Sequence, residues 1–480
     1  MAVDTMQQFV GRDQAYPSKR VAGERAADFA EIAARYAVPD AEDQAGRCSQ
    51  CGVPYCTVHC PLHNHIPDWL RLTAEGRLRE AYELSNATSS MPEICGRICP
   101  QDRLCEGNCV IEFAGHGAVT IGAVEKFITD TAWAEGWVEP LVPGPGRGQS
   151  VGVIGAGPAG LTTAEQLRLA GYEVHVYDRH DRAGGLLTYG IPGFKLEKPV
   201  VMRRVERLAA GGIVFHQGFA VGRDATLDQL RQRHDALLIA TGVYRARAVD
   251  VAGDERDGVV EAIDYLTASN RKGFGDAVPA FDDGSLDARG RRVVVIGGGD
   301  TAMDCVRTAV RQGAASVTCL YRRDRANMPG SQREVANAEE EGVRFEWLAA
   351  PAEIAGDERV TDVRYRRMRL GAPDASGRRA PEPEPGEPLD APADLVVRAL
   401  GFDAEPLPQL WDAPGLDVSR WGTVLVDGKT LMTSLEGVFA AGDIVRGASL
   451  VVWAIRDGRD AAAAMHRWLR ARAASERLAA

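Results

Sequence analysis

The stretch SVGVIGAGPAG occupies residues 150–160 and decides the fold of most of the chain. A short apolar run leads into the spacing Gly155-x-Gly157-x-x-Gly160, and an apolar helical segment follows. The first glycine permits a tight turn, the second lets the backbone approach a pyrophosphate, and the third lets the helix pack on the strand. Asp178 ends the next apolar run, where a carboxylate can hold a ribose hydroxyl. This order predicts a Rossmann-type dinucleotide-binding unit rather than a merely structural turn.

Short apolar runs, glycines and helical segments continue to alternate along the rest of the chain. Strands that alternate with helices form parallel sheets with helices on both faces. We therefore predict an α/β fold with two Rossmann-like dinucleotide-binding domains. The predicted strands lie in SVGVIG (150–155), EVHVYD (173–178), ALLIATG (236–242), RVVVIGGG (292–299), SVTCLYR (316–322), DLVVRALG (394–401) and GVFAAGD (437–443).

A second glycine fingerprint, GGGDTA, begins at residue 297 and has alanine at its third position, a common variant. The next predicted strand ends at Arg322 and Arg323 instead of a carboxylate. Guanidinium groups bind a 2′-phosphate through forked, charge-assisted hydrogen bonds, so this pair favours NADPH over NADH. A solvated basic surface is the alternative. The residues expected to bind NADPH are Gly297, Gly298, Gly299, Asp300, Thr301, Ala302, Arg322, Arg323, Ala399, Leu400 and Gly401.

Eight of the ten cysteines form two groups, Cys48-x2-Cys51-x4-Cys56-x3-Cys60-Pro61 and Cys95-x3-Cys99-x5-Cys105-x3-Cys109. Eight thiolates suffice for two four-iron clusters, and a ferredoxin-like run often ends in Cys-Pro with its last cysteine bound to the other cluster. Structural zinc also takes four thiolates, but it favours paired C-x2-C spacing, which only Cys48 and Cys51 have. The sequence therefore predicts a mainly helical iron–sulfur domain ahead of the Rossmann units.

Length, charge and the N-terminal sequence limit the class of protein and its compartment. A chain of 480 residues is too long to fold around one hydrophobic core, so we expect several domains. Its net charge of −11 argues against nucleic-acid or membrane-surface binding, which needs a basic face. Residues 1–14 lack the features of a signal peptide, and no run approaches the ~18 apolar residues of a membrane span. We expect a cytoplasmic protein with reduced thiols.

A linker rich in glycine and proline at 143–149 marks a domain boundary. Before it, residues 68–85 carry apolar side chains on a helical period and predict one helix. The proline-rich tract 381–388 predicts a loop or hairpin tip inside the second Rossmann unit. The predicted domains are 1–145 (iron–sulfur), 146–255 (first part of the FAD domain), 256–403 (inserted NADPH domain) and 404–480 (second part of the FAD domain).

Three later segments indicate FAD at the first fingerprint. They are AGGLL (183–187), ATG (240–242) and GVFAAGDI (437–444), and together they resemble segments that pack around the flavin in two-dinucleotide flavoprotein reductases. Residues 452–462 resemble the helix whose positive N-terminus faces the flavin ring, with an ordinary amphipathic helix as the alternative. The resemblance implies FAD contacts from Gly155, Ala156, Gly157, Pro158, Ala159, Gly160, Asp178, Gly185, Leu186, Lys195, Thr241, Gly242, Gly442, Asp443, Leu450 and Val451.

Residues 46–56, 60–70, 93–109 and 117–126 resemble the small (β) subunits of bacterial NADPH-dependent glutamate synthases. The resemblance implies an electron-input subunit in which NADPH reduces FAD and 4Fe-4S clusters carry the electrons onward. It also implies a large (α) partner that carries FMN and an iron–sulfur cluster and makes L-glutamate from L-glutamine and 2-oxoglutarate, in a hetero-oligomer of αβ units. No stretch of this chain looks like an amidotransferase nucleophile or a 2-oxoglutarate site.

Dihydropyrimidine dehydrogenase is similar over the same segments, and that similarity implies a division of the ligands. Cys48, Cys51 and Cys56 hold one cluster, with Glu125 as fourth ligand or Cys95 as its alternative. The expected ligands of the other cluster are Cys60, Cys99, Cys105 and Cys109.

Two other functions stay open on the sequence alone. One is the small subunit of a dihydropyrimidine dehydrogenase or of another NADPH:acceptor reductase. The other is a zinc-containing nucleotide-binding subunit with a structural role.

Overall fold

The computed structural model describes residues 6–248, 250–373 and 379–479. Of the N-terminal stretch 1–14, residues 1–5 lie outside this description. Within the described ranges, no helix has the length and apolar character needed to cross a bilayer.

The helices and strands follow in chain order. The helices are α1 Gln8–Gly11, α2 Ala22–Arg25, α3 Val38–Ala45, α4 Tyr55–Val58, α5 Ile66–Ala74, α6 Leu78–Thr88, α7 Pro92–Ile98, α8 Val110–Phe113, α9 Ile121–Ala134, α10 Pro158–Leu169, α11 Leu186–Tyr189, α12 Lys198–Ala210, α13 Leu227–Arg233, α14 Ala262–Gly273, α15 Pro279–Asp282, α16 Asp300–Arg311, α17 Gln332–Glu340, α18 Leu407–Leu410, α19 Asp443–Arg446 and α20 Val451–Ala479, with a 3-10 turn at Gln101–Arg103. The strands are β1 Ser150–Ile154, β2 Glu173–Asp178, β3 Val214–Gln217, β4 Ala236–Ile239, β5 Arg245–Ala246, β6 Val259–Glu261, β7 Arg292–Ile296, β8 Ser316–Tyr321, β9 Arg344–Trp347, β10 Ala349–Gly356, β11 Val360–Pro373, β12 Arg379–Pro383, β13 Leu389–Pro392, β14 Leu395–Arg398, β15 Phe402–Asp403 and β16 Val438–Ala440.

The N-terminal unit consists of short helices packed around the cysteines. Its core surrounds the fully buried Trp69 and the inner face of α9. The prediction of one helix over 68–85 was wrong, because α5 ends at Ala74 and α6 begins at Leu78. Gly76 between them has φ +72°, a left-handed conformation that glycine adopts without steric cost and that ends a helix.

Two parallel sheets follow, which confirms the predicted α/β class. The first has the strand order β16-β4-β1-β2-β3, and the second has the order β6-β14-β7-β8-β9. The chain leaves the first sheet after β4 and returns to it at β16, so the second Rossmann unit is inserted. The outgoing and returning segments pair as β5 and β15. The exact limits at residues 145, 255 and 403 stay predictions.

The second unit also carries an antiparallel sheet that the sequence did not predict. In it β11 pairs with β10, β12 and β13. The tract 381–388 was expected to be a loop or hairpin tip. Residues 381–383 instead belong to β12, and 384–388 connect it to β13. Many side chains of these strands are charged and exposed, so they lack the apolar runs that revealed the other strands.

A buried carboxylate joins the three units. Glu341 accepts hydrogen bonds from Arg307 (2.8 and 2.9 Å) and Arg311 (2.7 and 3.1 Å) within the second Rossmann unit. Arg25 of the N-terminal unit approaches the same carboxylate at 3.1 Å. Both arginines of the second unit lie over the ring of Phe194 from the first Rossmann unit, at 4.5 and 3.9 Å. Glu341, its three arginines and Phe194 therefore connect all three units.

Glu341→Gln should destabilise the protein by about 3 kcal/mol, because removing one member of a buried ion network leaves the other charges uncompensated. Burial alone would raise the pKa of Glu341, but the hydrogen bonds from Arg307 and Arg311 outweigh it and lower the pKa from 4.5 to about 2. A lowered pKa stabilises the fold above pH ~4.5, and that stabilisation is lost as the pH falls towards 2.

Denaturant unfolding of both proteins between pH 7 and pH 3 measures this effect. Glu339→Gln is the matched control, because its pair with Arg325 is exposed and worth little. Equal stability of the two variants at pH 7 would contradict the assigned role of Glu341.

Candidate functional site

A cavity of about 790 Å³ lies where the three units meet, and we call it the central cavity. The first Rossmann unit lines it with its fingerprint, and the second with the first turn of α16. The N-terminal unit contributes residues 96–102, which include Cys99. One partly open space therefore touches the first fingerprint, Asp300 and Thr301 of the second fingerprint, and the cysteine region.

The first fingerprint has the backbone geometry that its glycines predicted. Gly155 has φ +109°, and a side chain there would meet the carbonyl oxygen of Ala240 at 2.3 Å. A Cβ on Gly160 would lie 1.9 Å from the carbonyl oxygen of Gly155, because α10 packs closely on β1. A Cβ on Gly157 would meet no atom within 4 Å. The space over Gly157 is thus open to a ligand, while the other two positions are closed by the fold.

Asp178 lies at the end of β2, where the sequence placed it. One carboxylate oxygen accepts a hydrogen bond from the Ala156 N–H at 2.7 Å, and the other accepts one from the His180 N–H at 2.8 Å. The side chain therefore supports the glycine turn as well as lining the central cavity. Each oxygen retains a lone pair that can accept a hydrogen bond from a hydroxyl group.

Most of the residues expected at FAD line the central cavity. Ala156, Gly160 and Gly442 do not, and a Cβ on Gly442 would lie 2.9 Å from that of Ala159. The lining residues are Gly155, Gly157, Pro158, Ala159, Asp178, Gly185, Leu186, Lys195, Thr241, Gly242, Asp443, Leu450 and Val451.

The C-terminal helix α20 directs its first turn at the cavity. Leu450, Val451 and Ala454 line the space. Further along, Gly458 lets α20 cross α10 closely, since a Cβ there would lie 2.5 Å from the carbonyl oxygen of Ala159. The helix is therefore held with its positive end towards the cavity, where it can stabilise negative charge.

The second fingerprint is built in the same way as the first. A Cβ on Gly297 would meet the carbonyl oxygen of Ala399 at 2.3 Å, while a Cβ on Gly299 would meet nothing within 4 Å. Asp300 and Thr301 line the central cavity. The remaining residues predicted for NADPH lie outside its lining, namely Gly297, Gly298, Gly299, Ala302, Arg322, Arg323, Ala399, Leu400 and Gly401.

The surroundings of the cysteines favour a grouping other than the expected one. Cys109 is buried in the same apolar cluster as Cys48 and Cys56. Burial, with the charge of Cys109 adding to it, raises the pKa of Cys48 and of Cys56 to about 12. Glu125 lies instead with Cys60, as one of the charges that add to the effect of burial and raise the pKa of that thiol to about 11. The expected sets placed Glu125 with Cys48, Cys51 and Cys56, and Cys109 with Cys60, Cys99 and Cys105. They stay predictions, and these surroundings favour the opposite placement of Glu125 and Cys109.

The packing of two helices explains the position of Glu125. A Cβ on Gly96 of α7 would lie 2.6 Å from the backbone nitrogen of Lys126 in α9, so the two helices touch. This contact brings Glu125 to Cys95 of α7 and to Cys99, which follows the helix. A small void of about 30 Å³ is lined by Cys60, Cys95, Cys99, Cys105 and Glu125, together with apolar neighbours and Val452 of α20.

The donor sets fit iron–sulfur clusters better than single ions. All ten cysteines are free thiols. In the described part of the chain, no three His, Cys, Asp or Glu side chains converge on a point that could hold one ion. A four-iron cluster is larger than one ion, so its thiolates stand further apart than around zinc. Since burial raises these pKa values, bound iron would be needed to keep the sulfurs deprotonated.

Several charged residues of the cavity were missed by the sequence analysis. Asp304 and Glu334 are two of them, and they contact Lys195 of the predicted FAD site, which donates to Asp304 at 2.9 Å and lies 3.7 Å from Glu334. Tyr16 and Glu106 of the N-terminal unit and Arg333 of α17 also line the space. No motif identified these side chains, because they come from three distant parts of the chain.

Two family models match the chain. The first, described as dihydropyrimidine dehydrogenase domain II, 4Fe-4S cluster, matches residues 25–137. The second, described as pyridine nucleotide-disulphide oxidoreductase, matches residues 149–458.

Individual proteins give a more specific likeness. The chain is 64% identical to a glutamate synthase (NADPH) small chain of Azospirillum brasilense, over 98% of each chain. It is 44% identical to the putative oxidoreductase AegA of Escherichia coli, over 97% of this chain and 71% of that protein. The solved structure of Mycobacterium tuberculosis FprA in complex with NADPH has a TM-score of 0.58 at 22% identity, over 69% of this chain and 87% of that one. This last likeness shows the fold alone.

Fold and site together define a pyridine-nucleotide oxidoreductase of the two-dinucleotide flavoprotein class, with an iron–sulfur domain in its N-terminal region. Within that class, the 64% sequence identity to the Azospirillum brasilense small chain over nearly the whole length shows the family. The chain belongs to the family of NADPH-dependent glutamate synthase small chains.

Gly157→Ala should fold normally and yet retain at least tenfold less FAD, because the added methyl enters space reserved for a pyrophosphate. Gly299→Ala is its matched counterpart and should keep its flavin while weakening NADPH binding. Flavin absorbance after gel filtration and the KM for NADPH measure the two effects. Normal flavin content in Gly157→Ala would contradict the placement of FAD.

Proposed function

We propose that this chain is the electron-input subunit of a glutamate synthase. In this proposal it oxidises NADPH at FAD and passes electrons through two 4Fe-4S clusters to a large (α) subunit that carries FMN and an iron–sulfur cluster. That partner makes L-glutamate from L-glutamine and 2-oxoglutarate. The observation that carries the proposal is the central cavity, whose walls include both fingerprints and Cys99.

Bound FAD would supply the acceptor for a hydride from NADPH, and it would allow single electrons to pass on to the clusters. The chain's own residues would position the cofactors for these steps. Gly157 leaves room for one pyrophosphate and Gly299 for the other. The first turn of α20 places its positive end at the cavity, where it would stabilise negative charge on a reduced ring.

We propose the ligand sets that the packing favours. One cluster is held by Cys48, Cys51, Cys56 and Cys109. The other is held by Cys60, Cys99 and Cys105, and either Glu125 or Cys95 completes it. Glu125 is buried and accepts a hydrogen bond from the Ser85 hydroxyl at 3.2 Å. Cys95 lines the same void, so both donors stay open.

In this proposal the cluster of the Cys60 group receives electrons from FAD first, and the cluster of the Cys48 group passes them to the partner. The residues around each group support this order. Cys99 lines both the central cavity and the small void, so the Cys60 group adjoins the place proposed for FAD. The Cys48 group lies by α4 and α8, two short helices with exposed apolar residues. Val58 on α4 is 53% exposed and Phe113 on α8 is 72% exposed.

An anaerobic NADPH titration of the purified chain tests the proposal, with flavin, iron and sulfide assays beforehand. The expected result is bleaching of bound flavin followed by reduction of iron–sulfur absorbance. A colourless protein with zinc would overturn it. Capture of the large partner from a lysate, followed by a glutamate-forming assay, separates a glutamate synthase from another NADPH:acceptor reductase.

Cys105→Ser and Cys109→Ser should damage different clusters. Each should lose roughly half of the iron and sulfide, because one of two clusters loses a ligand. Both should keep NADPH-dependent dye reduction at the flavin and lose electron delivery to the partner. Cys51→Ser should reproduce the spectrum of Cys109→Ser, and Cys305→Ser serves as a buried control outside both groups. Identical spectra for Cys105→Ser and Cys109→Ser would contradict the proposed ligand sets.

Replacing Arg322 and Arg323 together by alanine should raise the KM for NADPH at least tenfold and change the KM for NADH much less. The two guanidiniums follow the strand after the second fingerprint, where a 2′-phosphate would lie. Arg344→Ala controls for loss of positive charge on the neighbouring strand β9. An equal rise of the KM for both coenzymes would contradict a role of Arg322 and Arg323 in binding the 2′-phosphate.

A further inference from the structure

Glu106 is a buried carboxylate that directly follows Cys105 in the chain, and only 1% of it is exposed. Three groups donate hydrogen bonds to it. The Gly122 N–H donates to one oxygen at 2.9 Å, and the Tyr16 hydroxyl donates to the other at 2.6 Å. Arg333 donates to that second oxygen at 2.5 Å. The carboxylate is therefore held in one position from three sides.

The three donors come from separate parts of the molecule. Gly122 lies in the first turn of α9, the helix that carries Glu125, and Tyr16 lies near the N-terminus. Arg333 belongs to α17 of the second Rossmann unit, and its guanidinium lies 4.7 Å from the centre of the Tyr16 ring. The positive charge nearest to Glu106 in these contacts thus comes from the unit that carries the second fingerprint.

The charge of Glu106 acts on the iron–sulfur site. Glu106 directly follows Cys105, which lines the small void, and both residues are buried, so the carboxylate lies beside this proposed ligand. Each one-electron reduction of a cluster on Cys105 would place a further negative charge beside this carboxylate. In a buried site two like charges repel strongly unless a positive charge compensates. Arg333 is in position to supply that compensation.

We propose that Arg333 of the second Rossmann unit sets the reduction potential of the cluster on Cys60, Cys99 and Cys105 by neutralising Glu106. The inference rests on the proposed function, because it requires a cluster at this site. It assigns Arg333 and Glu106 as positioning residues that act on the redox group through charge.

Substitutions that remove opposite charges give opposite shifts, which distinguishes this role from a structural one. Arg333→Gln leaves Glu106 uncompensated, so at a fixed potential the ratio of reduced to oxidised cluster should fall about tenfold, equivalent to ~59 mV for one electron. Glu106→Gln should shift the ratio in the opposite direction. The double variant should return close to the wild-type ratio.

A potentiometric titration of the iron-loaded chain, followed by electron paramagnetic resonance of the reduced cluster, measures these shifts. Arg333→Lys keeps the charge and should stay near the wild-type value. Arg325→Gln is the matched control, because Arg325 lies close by in the sequence and pairs with Glu339 at the surface.

Shifts of the same sign in the two single variants, or no shift at full iron content, would overturn the inference. If Arg333→Gln or Glu106→Gln loses iron, the other single variant still decides the sign of the shift. Absence of iron from the wild-type chain would instead refute the proposed function, so the two failures are distinguishable by iron and sulfide analysis.

Discussion

The buried carboxylate of Glu341 constrains how the three units of this protein meet. A carboxylate in a protein interior must be paired, since an unpaired buried charge costs several kcal/mol. Its partners Arg307 and Arg311 come from its own unit, and Arg25 comes from the N-terminal unit. The same two arginines cover Phe194 of the first Rossmann unit. The ion pairs of Glu341 and the packing of two of its arginines on Phe194 therefore hold all three units together. The central cavity is the space between these units.

The central cavity brings the nucleotide-binding units next to the cysteine region. Both fingerprints face a space whose third wall contains Cys99, so a hydride acceptor and an iron–sulfur site would lie side by side. Cys105, which lines the small void with Cys99, is buried in one apolar cluster with Cys56 and Cys109. Cys56 lies on α4 and Cys109 precedes α8, two helices with exposed apolar residues. Glu106 lies where the second Rossmann unit meets this route. The contact of a nucleotide-binding unit with the redox site is thus electrostatic as well as steric.

Much of the fold could be predicted because its signals are local. The fingerprint glycines 155 and 160 are required by close backbone contacts, and those contacts follow from a strand turning directly into a helix. The strands of the parallel sheets were visible as apolar runs, since they are buried on both faces. The antiparallel sheet was missed because β11 to β13 carry charged, exposed side chains. The break at Gly76 was missed because apolar spacing continues across it.

The sequence by itself determined the two dinucleotide-binding units, their order and the presence of eight clustered thiols, because each depends on residues close together in the chain. Only the tertiary structure decided which side chains surround one void. Glu125 lies there with Cys60, Cys99 and Cys105 because α7 packs directly on α9 at Gly96, a contact between helices that spacing along the chain does not encode. For the same reason the ion pair of Arg333 with Glu106, 227 residues apart, exists only once the units have assembled.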